Sequence, residues 1–180
     1  VTKMLKNSFF CKYYVLSILF AATLLTACAG PKTIEINSQA SAQLNQAGTG
    51  KPLSVVVNIY QLKSPDLFNR LTVESINSGK PVAELLGDTV VASKEMILVP
   101  GAKQELEETI KEEARYVGVV GNFRQPDRHY WRLLYDADRV RSKDLKFMAA
   151  ECYLKAVKPE ALAIPGQPPA TAKIDCKPGR

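Results

Sequence analysis

From Thr33 onward the chain is written in period two. Ile34, Ile36, Ser38, Ala40, Ala42 and Leu44 alternate with Thr33, Glu35, Asn37, Gln39, Ser41 and Gln43. Successive side chains of an extended chain point to opposite faces, so this alternation predicts one long strand with a single polar face. Leu53–Leu62, with Val55, Val56, Val57, Ile59 and Tyr60, predicts a buried central strand. Met96–Val99, Arg115–Phe123, Trp131–Tyr135 and Cys152–Val157 continue the series, punctuated by turn compositions at Asn45–Pro52 and Pro100-Gly101. Gly118 and Gly121, inside one of these runs, mark a bulge or the close approach of another backbone. Lys103–Ala114 has strong helix formers and Leu106, Ile110 and Ala114 at helical spacing. It lies between a turn and a strong strand, however, and Leu106 and Ile110 also share a strand face, so it is assigned as a strand. Two short helical segments interrupt the pattern: one at Ser64-Pro65-Asp66, with Ser64 as N-cap and Leu67, Phe68 and Leu71 as its apolar side, the other at Val82–Leu86, ended by Gly87. No element is assigned to residues 136–150. The class is all-β, a two-sheet β-sandwich with one or two short helical insertions.

The first thirty residues follow a different grammar. Lys3, Lys6 and Lys12 precede an uncharged apolar stretch from Tyr13 to Ala27, which ends in Leu25-Thr26-Ala27-Cys28. A positive end, a short apolar span and small residues before a cut are the layout of a secretory signal. An uncleaved signal anchor is the alternative, because Ala29, Gly30 and Pro31 prolong the uncharged run. Leu25-Thr26-Ala27-Cys28 resembles the bacterial lipobox. That resemblance implies a diacylglycerol on the Cys28 thiol, cleavage before Cys28 and acylation of the new amine; Cys11 leaves with the signal. Two or three acyl chains hold a protein stably on a membrane, where one is marginal. Residues 29 and 30 are Ala and Gly rather than the Asp that resembles an inner-membrane retention signal, so the expected site is the outer membrane, facing the periplasm.

Cleavage also changes the charge. The formal +6 loses three lysines and no acid with residues 1–27, leaving +3. The expected organisation is a signal peptide (1–27), a lipidated linker (28–32), the β-sandwich (33–158) and a proline-rich tail (159–180). Arg124, Arg128, Arg132, Arg139, Arg141, Lys143 and Lys146 cluster beside Tyr130 and Trp131, but Asp127, Asp136, Asp138 and Asp144 are interleaved. That reads as a solvated face or the rim of a protein partner site, not as a nucleic-acid surface. Glu105, Glu107, Glu108, Glu112 and Glu113 read as a second solvated face.

Chemistry-bearing constellations are sparse. The lone His129 sits on a turn, nothing in the sequence pairs Asp66 with Asp127, and no phosphate-cradling loop occurs. No enzyme and no cofactor, beyond the covalent lipid on Cys28, are expected. Cys152 and Cys176 are an even pair in an oxidising compartment, which favours a disulfide; two separate thiols are the alternative. With a single histidine they cannot assemble an ordinary zinc site, so no metal is expected.

At Pro52-Leu-Ser-Val-Val-Val-Asn-Ile-Tyr-Gln-Leu62 the sequence resembles the TssJ (SciN) family, the outer-membrane lipoproteins of type VI secretion systems. Phe68, Leu85-Leu-Gly-Asp88, Pro100-Gly101, Ala114-Arg-Tyr-Val-Gly-Val-Val120, Phe123-Arg124 and Trp131-Arg132 match in order, so that with the lipobox the resemblance spans most of residues 25–132. The tail with Cys176 stands outside the pattern. The resemblance implies a transthyretin-like sandwich and a non-enzymatic protein that binds the periplasmic region of the inner-membrane subunit TssM, within a trans-envelope complex. It also implies partner contact by the loop between the first two strands, here Asn45, Gln46, Ala47, Gly48, Thr49, Gly50 and Lys51, whose alternative is a flexible connector. A periplasmic carrier of a small or lipidic ligand is the competing function.

Overall fold

A computed structural model of the chain describes residues 31–169 and 171–176; the signal segment and Cys28 lie outside the described residues. Among the described residues eight strands form: β1 (Lys32–Ala40), β2 (Val55–Leu62), β3 (Val90–Leu98), β4 (Lys103–Ile110), β5 (Tyr116–Asn122), β6 (Arg132–Asp136), β7 (Leu145–Ala149) and β8 (Leu154–Lys158). They make two four-stranded sheets, ordered β4-β1-β7-β8 and β3-β2-β5-β6. The second is antiparallel throughout; the first is mixed, because β1 runs parallel to β7.

The alternation read from the sequence sets the core. Ile34 and Ile36 of β1, Val55, Val57 and Ile59 of β2, Met96 and Leu98 of β3, Val117 and Val119 of β5, and Leu145 and Phe147 of β7 are buried in one apolar cluster. Burial of this kind is the main favourable term in the fold. Lys103–Ile110 is a strand, paired antiparallel with β1 so that Leu106 faces Ile36 in register. Its helix propensity loses to this pairing, because ladder bonds and cross-strand packing outweigh a few tenths of a kcal/mol per residue. Glu105 and Glu107 point outward on this edge strand, where charge discourages pairing with another chain. Glu108 departs from the expected solvated face: it is half-buried and accepts from Gln61 Nε2 at 3.3 Å.

Four differences from the sequence expectation have physical causes. First, β1 stops at Ala40 instead of running to Leu44: the Ser41 hydroxyl accepts from the Gln43 N–H at 3.1 Å, and Asn45 turns the chain at φ 47°. Second, residues 136–150, unassigned above, form helix α4 (Ala137–Lys143) and the interior strand β7. Asp136 caps the helix by accepting from the Arg139 N–H at 2.9 Å. Third, the β2–β3 connection holds three short helices, α1 (Asp66–Arg70), α2 (Val73–Ile76) and α3 (Val82–Leu86), followed by a 3-10 turn at Gly87–Thr89. The unforeseen α2 is closed by a Thr72/Ser75 capping box, in which the expected Glu or Gln is replaced by Ser. Fourth, what approaches Gly118 is not a backbone but the Phe68 ring of α1, which lies where a Cβ would be 2.4 Å from its Cε2. No bulge is needed there, since β5 holds a regular register with β2 and β6.

The basic cluster is not one surface. Arg132 is buried, and its guanidinium donates to the carbonyls of Phe68 at 2.9 Å, Asn69 at 3.1 Å and Leu71, while lying 4.8 Å from the centroid of the Trp131 ring. It gathers the carbonyls at the C-terminal end of α1, of which Phe68 O also takes the Leu71 N–H at 3.3 Å. Arg141 is buried as well, donating to the carbonyls of Lys111 at 2.5 Å and Ala114 at 3.0 Å, so it fastens α4 to the β4–β5 turn. Two of the seven basic residues are therefore internal fasteners.

Candidate functional site

The strand registers define two poles. At one, Lys32 faces Ile110, Leu62 faces Val90 and Tyr116, and Lys146 faces Lys158. At the other lie Gln39 opposite Lys103, Val55 opposite Leu98, Val56 opposite Asn122 and Ala149 opposite Leu154. The β1–β2, β3–β4, β5–β6 and β7–β8 connections therefore gather at this second, loop pole, while β1 begins at the first.

The β1–β2 loop is built on two residues. Leu44 is fully buried and plugs the core, and its carbonyl accepts from the Leu53 N–H at 3.0 Å, pinching the base of the loop. Asn45 is buried in the left-handed region, a conformation that Asn tolerates better than most residues. Its side chain donates to Ser54 O at 2.8 Å and accepts from the Arg124 N–H at 2.8 Å, and its own N–H donates to Glu151 O at 2.6 Å. Asn45 thus ties the loop, through its side chain, to the residue ahead of β2 and to the β5–β6 connection, and, through its backbone N–H, to the β7–β8 connection. Beyond it the loop closes on itself: the Ala47 N–H donates to Lys51 O at 2.9 Å and the Gly50 N–H to Ala47 O at 2.8 Å, with Gly50 at φ 78°. Gln46, Gly48, Thr49, Gly50 and Lys51 are exposed and Ala47 is half-buried. The tip is an ordered turn on a fixed base.

Asp127 organises the neighbouring connection. It is buried; Oδ1 accepts from the His129 N–H at 2.8 Å and the Tyr130 N–H at 2.9 Å, and Oδ2 accepts from the Asp175 N–H at 3.1 Å. Asp66 begins α1, where its carboxylate accepts from the Ser64 hydroxyl at 2.7 Å, and it shares no hydrogen-bond partner with Asp127 among the described residues. His129 is half-buried on this turn, its carbonyl taken by Gln167 Nε2 at 2.8 Å. The role of Asp127 was missed in the sequence, although a Pro-Asp pair before a strand is a signal for an Asx-type turn. Cys152 and Cys176 are joined in a disulfide with Cα atoms 5.5 Å apart. A cavity of about 200 Å³ runs between them and the loop, lined by Asn45, Gln46, Gly48, Gln125 and Glu151. Among the described residues no three of His, Cys, Asp and Glu gather as a metal-binding group.

Residues 32–152 match the family model T6SS-SciN, described as type VI secretion lipoprotein, VasD, EvfM, TssJ. The chain belongs to this family. Solved structures agree. The T6SS lipoprotein TssJ1 from Pseudomonas aeruginosa is 26% identical with a TM-score of 0.62, over 75% of this chain and 99% of that one. A chain of a type VI membrane complex is 27% identical with a TM-score of 0.63, over 70% of this chain and 98% of its own. A chain from a structure described as the T6SS protein TssM C-terminal domain from EAEC is 26% identical with a TM-score of 0.60, over 70% of this chain and 98% of its own. A comparison with curated proteins finds no match. The two-sheet architecture is the TssJ fold, and the chain is a membrane-associated lipoprotein of the type VI secretion system.

Proposed function

We propose that this lipoprotein hangs from the outer membrane through acyl chains on Cys28, faces the periplasm, and binds the periplasmic region of a TssM-type inner-membrane subunit through the Asn45–Lys51 loop. The observation that carries the reading is polar geometry. β1 enters the sandwich at the pole opposite the loop, and its nine residues rise about 27 Å between the two. Cys28 lies four residues ahead of Lys32, a reach of roughly 14 Å of chain. A lipid-bearing segment that joins the chain ahead of β1, and an exposed turn at the pole where β1 ends, suit a protein that bridges. The similarity to chains from a membrane complex and from a TssM domain structure supports the partner named. The role is recognition without bond chemistry, so no cofactor is required.

The test is affinity of the full chain in detergent for the periplasmic region of the TssM-type subunit. Replacing Gln46–Lys51 by a Gly-Ser linker, with Asn45 kept, should weaken binding at least about tenfold if the loop supplies a central contact. Unchanged affinity removes the loop from the interface, and absence of binding by the wild type removes the partner. One observation favours the ligand-carrier alternative: a cavity of about 710 Å³ between β8 and the tail, lined by Leu133, Leu154, Ala156, Leu162 and Ile174. Saturable displacement of a fluorescent fatty acid, abolished by Ala156→Trp, would establish it; no saturable binding disposes of it.

A further inference from the structure

The tail from Pro159 to Cys176 runs from the pole where β1 begins to the loop pole, across the side where β6 and β8 are the sheet edges. The Leu162 N–H donates to Leu134 O of β6 at 2.7 Å, Ile164 is buried, and the Tyr130 hydroxyl donates to Pro169 O at 2.8 Å. It ends beside the loop, where the Asp175 N–H meets the Asp127 carboxylate and Cys176 is bonded to Cys152. The family match covers residues 32–152, so this strap and its cysteine lie beyond it.

The strap closes onto the two segments that hold Asn45. Glu151, whose carbonyl takes the Asn45 N–H, precedes the bridged Cys152. Arg124, whose N–H meets Asn45 Oδ1, belongs to the same connection as Asp127. The Asp127 N–H in turn donates to Cys152 O at 2.9 Å, so the two segments and the end of the tail form one hydrogen-bonded knot. Asn tolerates φ 47° better than most residues, and the hydrogen bonds from these two segments select that conformation for Asn45. We infer that the Cys152–Cys176 bridge is a positioning element for the Asn45–Lys51 loop, and that affinity for the partner depends on the bridge being closed. The dependence on a partner rests on the function proposed above; the positioning of the loop does not.

Preorganisation sets the size of the effect. If opening the bridge lowers the binding-competent fraction of the loop from near one to about a tenth, the apparent Kd rises about tenfold. The test compares wild type with Cys176→Ser as full chains in detergent, by amide hydrogen exchange well below the unfolding temperature and by affinity for the periplasmic region of the TssM-type subunit. The expected result is at least about tenfold faster exchange at the Asn45, Ala47 and Gly50 amides, unchanged exchange in β2 and β5, and about tenfold weaker binding. Unchanged loop exchange overturns the inference, even if binding weakens, because the tail would then touch the partner itself. Faster exchange spread equally over β2 and β5 also overturns it, since the bridge would be stabilising the whole fold. Local loop release with no binding by the wild type supports the positioning role and sinks only the partner. Should Cys176→Ser not fold, the same exchange comparison is made on wild type treated with dithiothreitol, which gives two electrons and two protons to the bridge and closes to its own cyclic disulfide. Restoration on reoxidation supports the inference, and loop exchange insensitive to reduction overturns it.

Discussion

Gly118→Ala tests how the helical insertion is seated. A methyl at this position would stand 2.4 Å from Phe68 Cε2 and 2.8 Å from both Cδ2 and Cζ. Carbon atoms pack at about 3.5–4.0 Å, so the ring must withdraw by roughly 1 Å. It has little freedom to do so: Phe68 is the buried residue of α1, and its ring lies 5.8 Å from the Arg132 guanidinium that grips the same helix. Overpacking of this kind costs about 1–3 kcal/mol, against roughly 0.5–1 kcal/mol gained by replacing a strand glycine with alanine. The expected net loss is about 1–2 kcal/mol, or a fall in Tm of roughly 3–6 °C for a domain of this size. Urea titrations of Gly118→Ala, Phe68→Leu and the double variant supply the cycle. Phe68→Leu alone leaves a void, which the new methyl partly fills, so the double variant should be more stable than additivity predicts by about 1 kcal/mol. A Gly118→Ala protein as stable as wild type, or a strictly additive pair, would refute the claim that the Phe68 ring closes on Gly118.

Tyr135→Phe should raise stability by about 1 kcal/mol in urea titration, because the Tyr135 hydroxyl is buried without a hydrogen-bond partner among the described residues; a clear loss would mean that it has one. Burial, with Glu95 nearby, pushes the Tyr60 phenol up to about 12, and burial pushes Tyr135 up too. The folded protein then keeps protons that the unfolded chain releases near pH 10, so this stability is intact below about pH 10 and is lost as pH rises toward 12. Urea midpoints measured from pH 9 to 12 should fall in wild type and fall less in Tyr60→Phe; a flat wild-type profile contradicts this. Arg132→Lys keeps the charge but loses the fork over the α1 carbonyls, so a loss of about 1–3 kcal/mol is expected, and unchanged stability would show those bonds to be dispensable. Cys28→Ser should abolish acyl labelling and leave the precursor uncut, whereas normal membrane attachment of that variant points to the signal anchor.

Much of the sandwich was legible because its strands carry their own signal. β2 and β5 are β-branched runs, and either is identifiable without knowing its neighbours. β7 was not legible: Leu-Lys-Phe-Met-Ala is too short to show a period, and it becomes a strand because β1 and β8 pair with it on both sides. Arg132 and Arg141 misled for a related reason. Sequence shows a charge but not the carbonyls that meet it, and a run of arginines reads as surface unless helix ends in need of donors are known to lie nearby. At the candidate site the turn composition of Asn45–Lys51 was visible, while the anchoring of Asn45 to segments roughly eighty and a hundred residues away was not.

By itself the sequence determined most of the extended stretches, where most turns fall, and, through ordered motifs, the family to which the chain belongs. These are local properties, set by side-chain alternation, β-branching and the conformational range of Gly, Pro and Asn. Only the tertiary structure decided that Lys103–Ile110 joins β1, that β1 enters opposite the loop, and that the tail returns to knot Cys176 beside Asn45. The physical reason is common to all three. Each depends on contacts between residues far apart in the chain, and their free energy exists only once the sheets have brought those residues together.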